Sequence, residues 1–158
     1  MFYKIGTVIL LFVFSSCTPV YLTQQEKEVV YSYKVEMPKE QIKIKLLQFI
    51  NETFKSSKAV IQVNEDGLLS GNGVVFLSSD AIGIIKTYME FTFIFKYENN
   101  QYKVKCLVKN LYNVDHKSTY DLAEHQYGNY KEKILAEFAK FDKSAYDYLT
   151  NKNNSFDF

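Results

Sequence analysis

The chain contains no arginine: all 19 basic residues of its 158 are lysines, set against 18 acidic residues. Arginine is the side chain that forks onto phosphates and carboxylates. Its absence, with a net charge of only +1, argues against nucleic-acid recognition. Cysteine is scarce as well. Cys17 and Cys106 are too few and too differently placed for a disulfide framework. The apolar run Ile5–Phe14 is too short to cross a bilayer as an ordinary helix. The glycine-bearing Ser70-Gly71-Asn72-Gly73 lacks the lysine and following helix that a phosphate loop needs.

What is present begins with an address. Residues 1–17 read MFYKIGTVILLFVFSSC: one lysine, an apolar run, two small residues and a cysteine. The arrangement resembles a bacterial lipoprotein signal, with Phe14-Ser15-Ser16-Cys17 in the lipobox place and a phenylalanine where a leucine is commonest. That resemblance implies removal of residues 1–16 and a lipid on the Cys17 thiol, which would hold the chain on a membrane without spanning it. Thr18 is not the aspartate of inner-membrane retention in enterobacteria. The residues after it also lack the acidic cluster that accompanies surface export. The expected location is the cell envelope, lipid-anchored, on the periplasm-facing side of the outer membrane.

Residues 17–28 read as the lipidated cysteine and a polar tether. A single domain is expected over 29–150, and the asparagine-rich 151–158 reads as a frayed tail.

The domain is organised around Thr87–Val114. Met89, Phe91, Phe93, Phe95 and Tyr97 alternate with more polar neighbours, the period-two pattern of a strand with one buried face. Glu98-Asn99-Asn100-Gln101 is a turn, and asparagine tolerates left-handed backbone angles. Tyr102, Val104, Cys106 and Val108 then alternate with Lys103, Lys105, Leu107 and Lys109. A hairpin of this kind cannot hide its aromatic face alone, so helices elsewhere must cover it.

Two helices are available. Pro38 opens one whose Ile42, Leu46, Phe49, Ile50 and Phe54 recur at helical spacing. A second runs from about Tyr130 to Leu149, with Ile134, Leu135, Phe138, Phe141, Ala145, Tyr148 and Leu149 along one side and lysines and acids opposite. Further strands are expected at Val29–Met37, Ala59–Val63 and Leu68–Leu77, the last bulged or bent at Gly71-Asn72-Gly73. Ser78–Lys86 reads as a loop, and so does the polar stretch Asp115–Asn129.

The order is strand, helix, four strands, helix. Gln41–Val63, the segment Leu68–Val75 and the aromatic hairpin together resemble the DUF4468 domains, a TBP-like fold found in Bacteroidetes lipoproteins. The resemblance runs from about Val29 to Leu149. It implies an α+β fold in which a curved antiparallel sheet carries both helices on one face. It implies no activity, cofactor or catalytic residue, and a TBP-like topology does not entail DNA binding.

Candidate chemistry is sparse. His116 and His125 stand with Asp115, Asp121 and Glu124 before the last helix. Histidine with carboxylates can hold zinc or exchange protons, yet this spacing matches no metal motif and suits a solvated loop. Cys106, in an alternating apolar strand, reads as a small buried hydrophobe. With helices on the aromatic face only, the other face is open, and it displays Lys96, Lys103, Lys105 and Lys109. These four lysines are the expected partner-binding residues. The resulting expectation is a non-enzymatic interaction module recognising an envelope protein or a glycan, with no metal or other cofactor. The alternatives are a small hydrolase or metal-dependent enzyme using the His116/His125 loop, and a carrier of an apolar ligand between sheet and helices.

Overall fold

The computed structural model describes residues 21–54, 62–63 and 67–150. The signal-like residues 1–16, the expected lipidation site Cys17 and the expected tail 151–158 lie outside the described residues.

The elements in chain order are α1 (Gln24–Lys27), β1 (Glu28–Lys34), α2 (Lys39–Thr53), β2 (Gln62–Val63), β3 (Leu68–Ser79), β4 (Lys86–Glu98), β5 (Gln101–Val114), β6 (Thr119–Asp121), a 3-10 helix (Glu124–Tyr130) and α3 (Lys131–Leu149). The six strands form one antiparallel sheet in the order β1-β5-β4-β3-β2, with β6 also on β5. Both main helices pack on the face that the alternation of β4 turns inward.

That face is built from rings. Met89, Phe91, Phe93, Phe95 and Tyr97 are buried, as are Tyr102, Val104 and Cys106 across the hairpin. From α3, Phe141 reaches into the middle, its ring centroid between 5.4 and 6.0 Å from those of Phe49, Phe54, Phe91, Phe93 and Phe95. Tilted and edge-on contacts of this kind add to the stabilisation of roughly 1.5–3 kcal/mol that burying each side chain supplies. α2 contributes Ile42, Leu46, Phe49 and Ile50, all fully buried and spaced as one helical stripe.

The turn between β4 and β5 also seats α2. Asn100 adopts a left-handed φ of 61°, as asparagine tolerates. Its carbonyl accepts from Val35 N and its amide donates to Met37 O. Asn99 Oδ1 accepts from Lys39 N at 2.9 Å, satisfying one of the free donors of the first helical turn. β1 therefore ends at Lys34, not Met37, because residues 35–37 wrap over the hairpin turn to present Pro38 to the helix start.

Other stretches differ from the expectations or lie partly outside the described residues. The segment 24–28 is not tether: Thr23 and Glu26 form a reciprocal cap on α1, Glu28 opens β1, and Leu22 is buried in the core. Asp115–Asn129 contains β6 and the 3-10 helix, giving five strands between the main helices, not four. Of the expected strand Ala59–Val63, only Gln62–Val63 lies among the described residues, and it pairs with β3.

Finally, Gly71 and Gly73 mark no bulge. They pair in register with Phe93 and Phe91, and the irregularity in β3 falls between Phe76 and Ser78. The glycines make room for rings. A Cβ on Gly71 would stand 2.5 Å from Phe93 Cζ, and one on Gly73 would stand 2.7 Å from both Phe54 Cε1 and Phe91 Cε1.

Candidate functional site

The sheet face opposite the helices has a legible grid. Reading across β3, β4 and β5, one row is Phe76–Tyr88–Tyr112, the next Val74–Glu90–Asn110, then Asn72–Thr92–Leu107, Ser70–Ile94–Lys105 and Leu68–Lys96–Lys103. β1 adds Glu28, Val30, Ser32 and Lys34 on the same side of β5.

All four expected lysines stand on or at the edge of this grid, but they are not a free cationic patch. Lys105 Nζ lies 2.5 Å from Glu28 Oε1. Lys109 Nζ lies 2.7 Å from Glu90 Oε1. The second pair depends on a bulge: Glu90 faces Asn110 and Phe91 faces Val108, so Lys109 is the extra residue of β5. Lys96 is 3.8 Å from Glu98, and both are well exposed. Lys96, Glu98, Gln101 and Lys103 line a hollow of about 160 Å³ at the hairpin-turn end. The net field of the face is small, because most of its lysines have a carboxylate beside them.

The other end of the face is aromatic. Tyr88 stacks on Tyr112 with ring centroids 5.7 Å apart and meets Phe76 edge-on at 5.7 Å. Phe76 is 50% exposed, unusual for so large an apolar ring in mid-strand. Thr92 Oγ1 donates to Asn72 Oδ1 at 2.8 Å, and Asn110 Nδ2 donates to Asp121 Oδ1 at 2.6 Å. The arrangement offers a surface with ring faces at one end and paired charges at the other. Such a surface suits contact with another molecule; among the described residues, nothing on it aligns a nucleophile with a base.

The histidines are not brought together. His116 is exposed in the turn between β5 and β6. There Asp115 Oδ1 accepts from Lys117 N and Ser118 N, which holds the Asp115 carboxyl below its usual range. His125 is exposed on the 3-10 helix, its ring edge-on to Tyr21 at 6.4 Å. Among the described residues, no group of three or more His, Cys, Asp or Glu is placed to hold a metal ion.

Among the described residues, a titratable cluster that was not expected lies in the core. Asp142 of α3 is buried and accepts a hydrogen bond at Oδ2 from the Tyr33 hydroxyl of β1. Its Oδ1 and the buried Tyr102 hydroxyl have no partner. Burial lifts the Asp142 carboxyl to about 6 despite the Tyr33 hydrogen bond that opposes it. The Tyr33 and Tyr102 phenols are raised too, first by desolvation. Cys106 is pushed up to about 12 by burial and then by Asp142, which favours the thiol over the thiolate. The helical spacing carried the signal for Asp142. It follows Phe138 by four and precedes Ala145 by three, squarely on the apolar stripe.

Comparison with known proteins agrees with this architecture. A family model described as a domain of unknown function (DUF4468) with TBP-like fold matches residues 31–111, about half of the chain. A DUF4468 family protein from Bacteroides ovatus superimposes with a TM-score of 0.61 at 12% identity, covering 82% of this chain and 90% of that one. A TBP-like protein from Parabacteroides distasonis gives 0.53 at 12% identity, covering 80% and 97%. No curated protein matches. With its sheet, its helix layer and the matched residues in accord, this chain belongs to the DUF4468 family and has its TBP-like α+β fold.

Proposed function

We propose that this chain is a lipid-anchored protein of the cell envelope, held through Cys17 at the periplasmic side of the outer membrane, whose open sheet face binds a protein partner without catalysing a reaction. The observation that best supports this reading is the open face itself. It is a whole sheet surface left uncovered by the helices, with the row Phe76–Tyr88–Tyr112 at one end and the Lys96–Lys103 hollow at the other. Paired lysines do not suit a polyanionic ligand, whereas aromatic rings beside satisfied polar groups are the composition of protein interfaces.

Crosslinking of the native lipidated protein in cells, followed by mass spectrometry of the attached species, tests it. A reproducible protein trapped on this face, and lost from Phe76→Ser/Tyr88→Ser or from Lys96→Glu/Lys103→Glu, is the expected result. Unchanged crosslinks in both double variants would sink the assignment of the face. Attached glycan in place of protein would replace the partner class.

A further inference from the structure

The hairpin tip between β3 and β4 is apolar where a turn is ordinarily polar. Its sequence is Asp80-Ala81-Ile82-Gly83-Ile84-Ile85, with Ile82 76% exposed and Ile84 41% exposed. The turn is well built. Asp80 N donates to Ile85 O, Gly83 N donates to Asp80 O, and Asp80 Oδ1 accepts from Ile85 N. Gly83 has a φ of +73° and open space around it. The isoleucines are thus held outward by a formed turn.

The surroundings of the tip repeat the theme. Immediately behind it on the open face stands Phe76 beside Tyr88. The neighbouring turn at the same end of the sheet carries exposed His116 and Lys117, because Val114 pairs with both Lys86 and Thr119. Lys86 is also exposed. The acids of the two turns, Asp80 and Asp115, are occupied as acceptors of backbone amides. An apolar point flanked by two lysines, with aromatic rings one layer back, has the composition of a group that enters the headgroup region of a bilayer.

The start of the described chain runs towards this same end. Glu28 opens β1 beside Leu107, and the residues before it run on towards β6 and the 3-10 helix. Lys27 pairs with Glu124, Glu26 with Lys131, and Tyr21 touches His125. Tyr127 of that helix holds Leu111 N and Asn110 through its hydroxyl. Cys17 precedes Tyr21 by only four residues, a reach of at most roughly 14 Å. Across the sheet the tip lies two strand spacings, roughly 10 Å, from the β1 edge; along the strands it lies beyond the stretch of β4 from Thr92 to Lys86, roughly 20 Å past the level of Glu28.

From this placement we infer that Ile82 and Ile84 form a second membrane contact, entering the lipid headgroup layer next to the anchor and standing the sheet end-on to the bilayer. The inference rests on the Cys17 anchor proposed above, and it leaves the open face turned sideways, accessible to a partner. A lipid chain and a hairpin tip together fix orientation as well as distance.

The chain contains no tryptophan, so Ile82→Trp introduces a sole indole reporter on the tip. The full chain is expressed with its own signal segment, purified from membranes and reconstituted into phosphatidylethanolamine–phosphatidylglycerol vesicles with and without brominated acyl chains. Flotation reports whether the chain is anchored. Ile82→Trp is expected to show a blue-shifted emission that brominated lipid quenches, while Lys103→Trp, at the opposite end of the open face, stays unshifted and unquenched. An unshifted, unquenched tip on a chain that floats overturns the tip contact alone and leaves the anchor standing. A blue shift without quenching assigns the tip to a protein surface, a second copy of the chain included, and overturns it equally. Failure to float removes the anchor and the tip contact together.

Discussion

Tyr33 and Asp142, 109 positions apart in sequence, meet in the core, the phenol donating to the carboxylate. Around them Tyr33 stacks on Tyr102 at 5.3 Å and packs on Tyr146 at 4.8 Å. One hydrogen bond serves a group that offers two oxygens, and the second oxygen is buried without a partner. A buried carboxylate so thinly served favours its protonated form.

The pH dependence follows. The folded value of about 6 exceeds the ordinary 3.8, so between those values the native state binds the extra proton and stability falls as pH rises through the window. Glu26 works oppositely: Lys131 and Thr23 hold it at about 2, so its contribution is lost as pH falls below the usual carboxylate range. Asp142→Asn is expected to abolish the decline between pH 4 and pH 6 and to stabilise the protein at pH 7 by about 2 kcal/mol. Urea unfolding across that range is the check, and an unchanged slope refutes the assignment. Tyr33→Phe is expected to destabilise by roughly 1–3 kcal/mol at pH 7, and by less at pH 4.5.

Phe141 is the ring on which both layers converge. Phe141→Ala removes contacts to five aromatic neighbours at once, and a loss of about 3–5 kcal/mol is expected. Chemical denaturation measures it directly. A loss below about 1 kcal/mol would mean that the rings close over the cavity.

Gly73→Ala places a methyl group against Phe54 and Phe91. Phe91 is held by Phe138 and Phe141, and Phe54 stacks on Phe93, so a shift of either ring disturbs its neighbours. The expected cost is about 1–3 kcal/mol, despite the higher strand propensity of alanine. Asn72→Ala, whose side chain lies on the open face, is expected to cost less, and the two midpoints compared in one titration separate packing from propensity.

Cys106 is buried and free. In a Cys17→Ser background it is expected to resist thiol reagents in the native state and to react on unfolding. Rapid native labelling would contradict both its burial and the raised thiol value.

These cases show where the sequence was readable. The aromatic alternation of β4 placed five core residues correctly, because period two and burial coincide there. Ile42, Leu46, Phe49 and Ile50 were equally visible as a helical stripe. Asp142 was missed because a carboxylate reads as polar whatever its position, although its spacing from Phe138 and Ala145 put it on the buried side. β6 was missed for the opposite reason. Thr119, Tyr120 and Asp121 are all exposed, and a strand held to β5 by backbone pairing and the Asn110–Asp121 hydrogen bond leaves no hydrophobic pattern. The four lysines were correctly set on or beside the open face. Their neutralisation was hidden, because Lys109 meets Glu90 only through a bulge and Glu28 read as tether.

The pairing of β1 with β5 has a consequence in time. Val29 lies opposite Cys106, so 77 residues (106 − 29) separate a β1 residue from its partner. At a synthesis rate of about 5–20 residues per second, β1 emerges from the ribosome some 4–15 s before the strand that covers its edge exists. The hairpin of β4 and β5, closed by a short turn, forms within microseconds once both strands are free to pair. Throughout that interval Tyr31 and Tyr33 have no sheet to join, and the first strand made is the one that must wait.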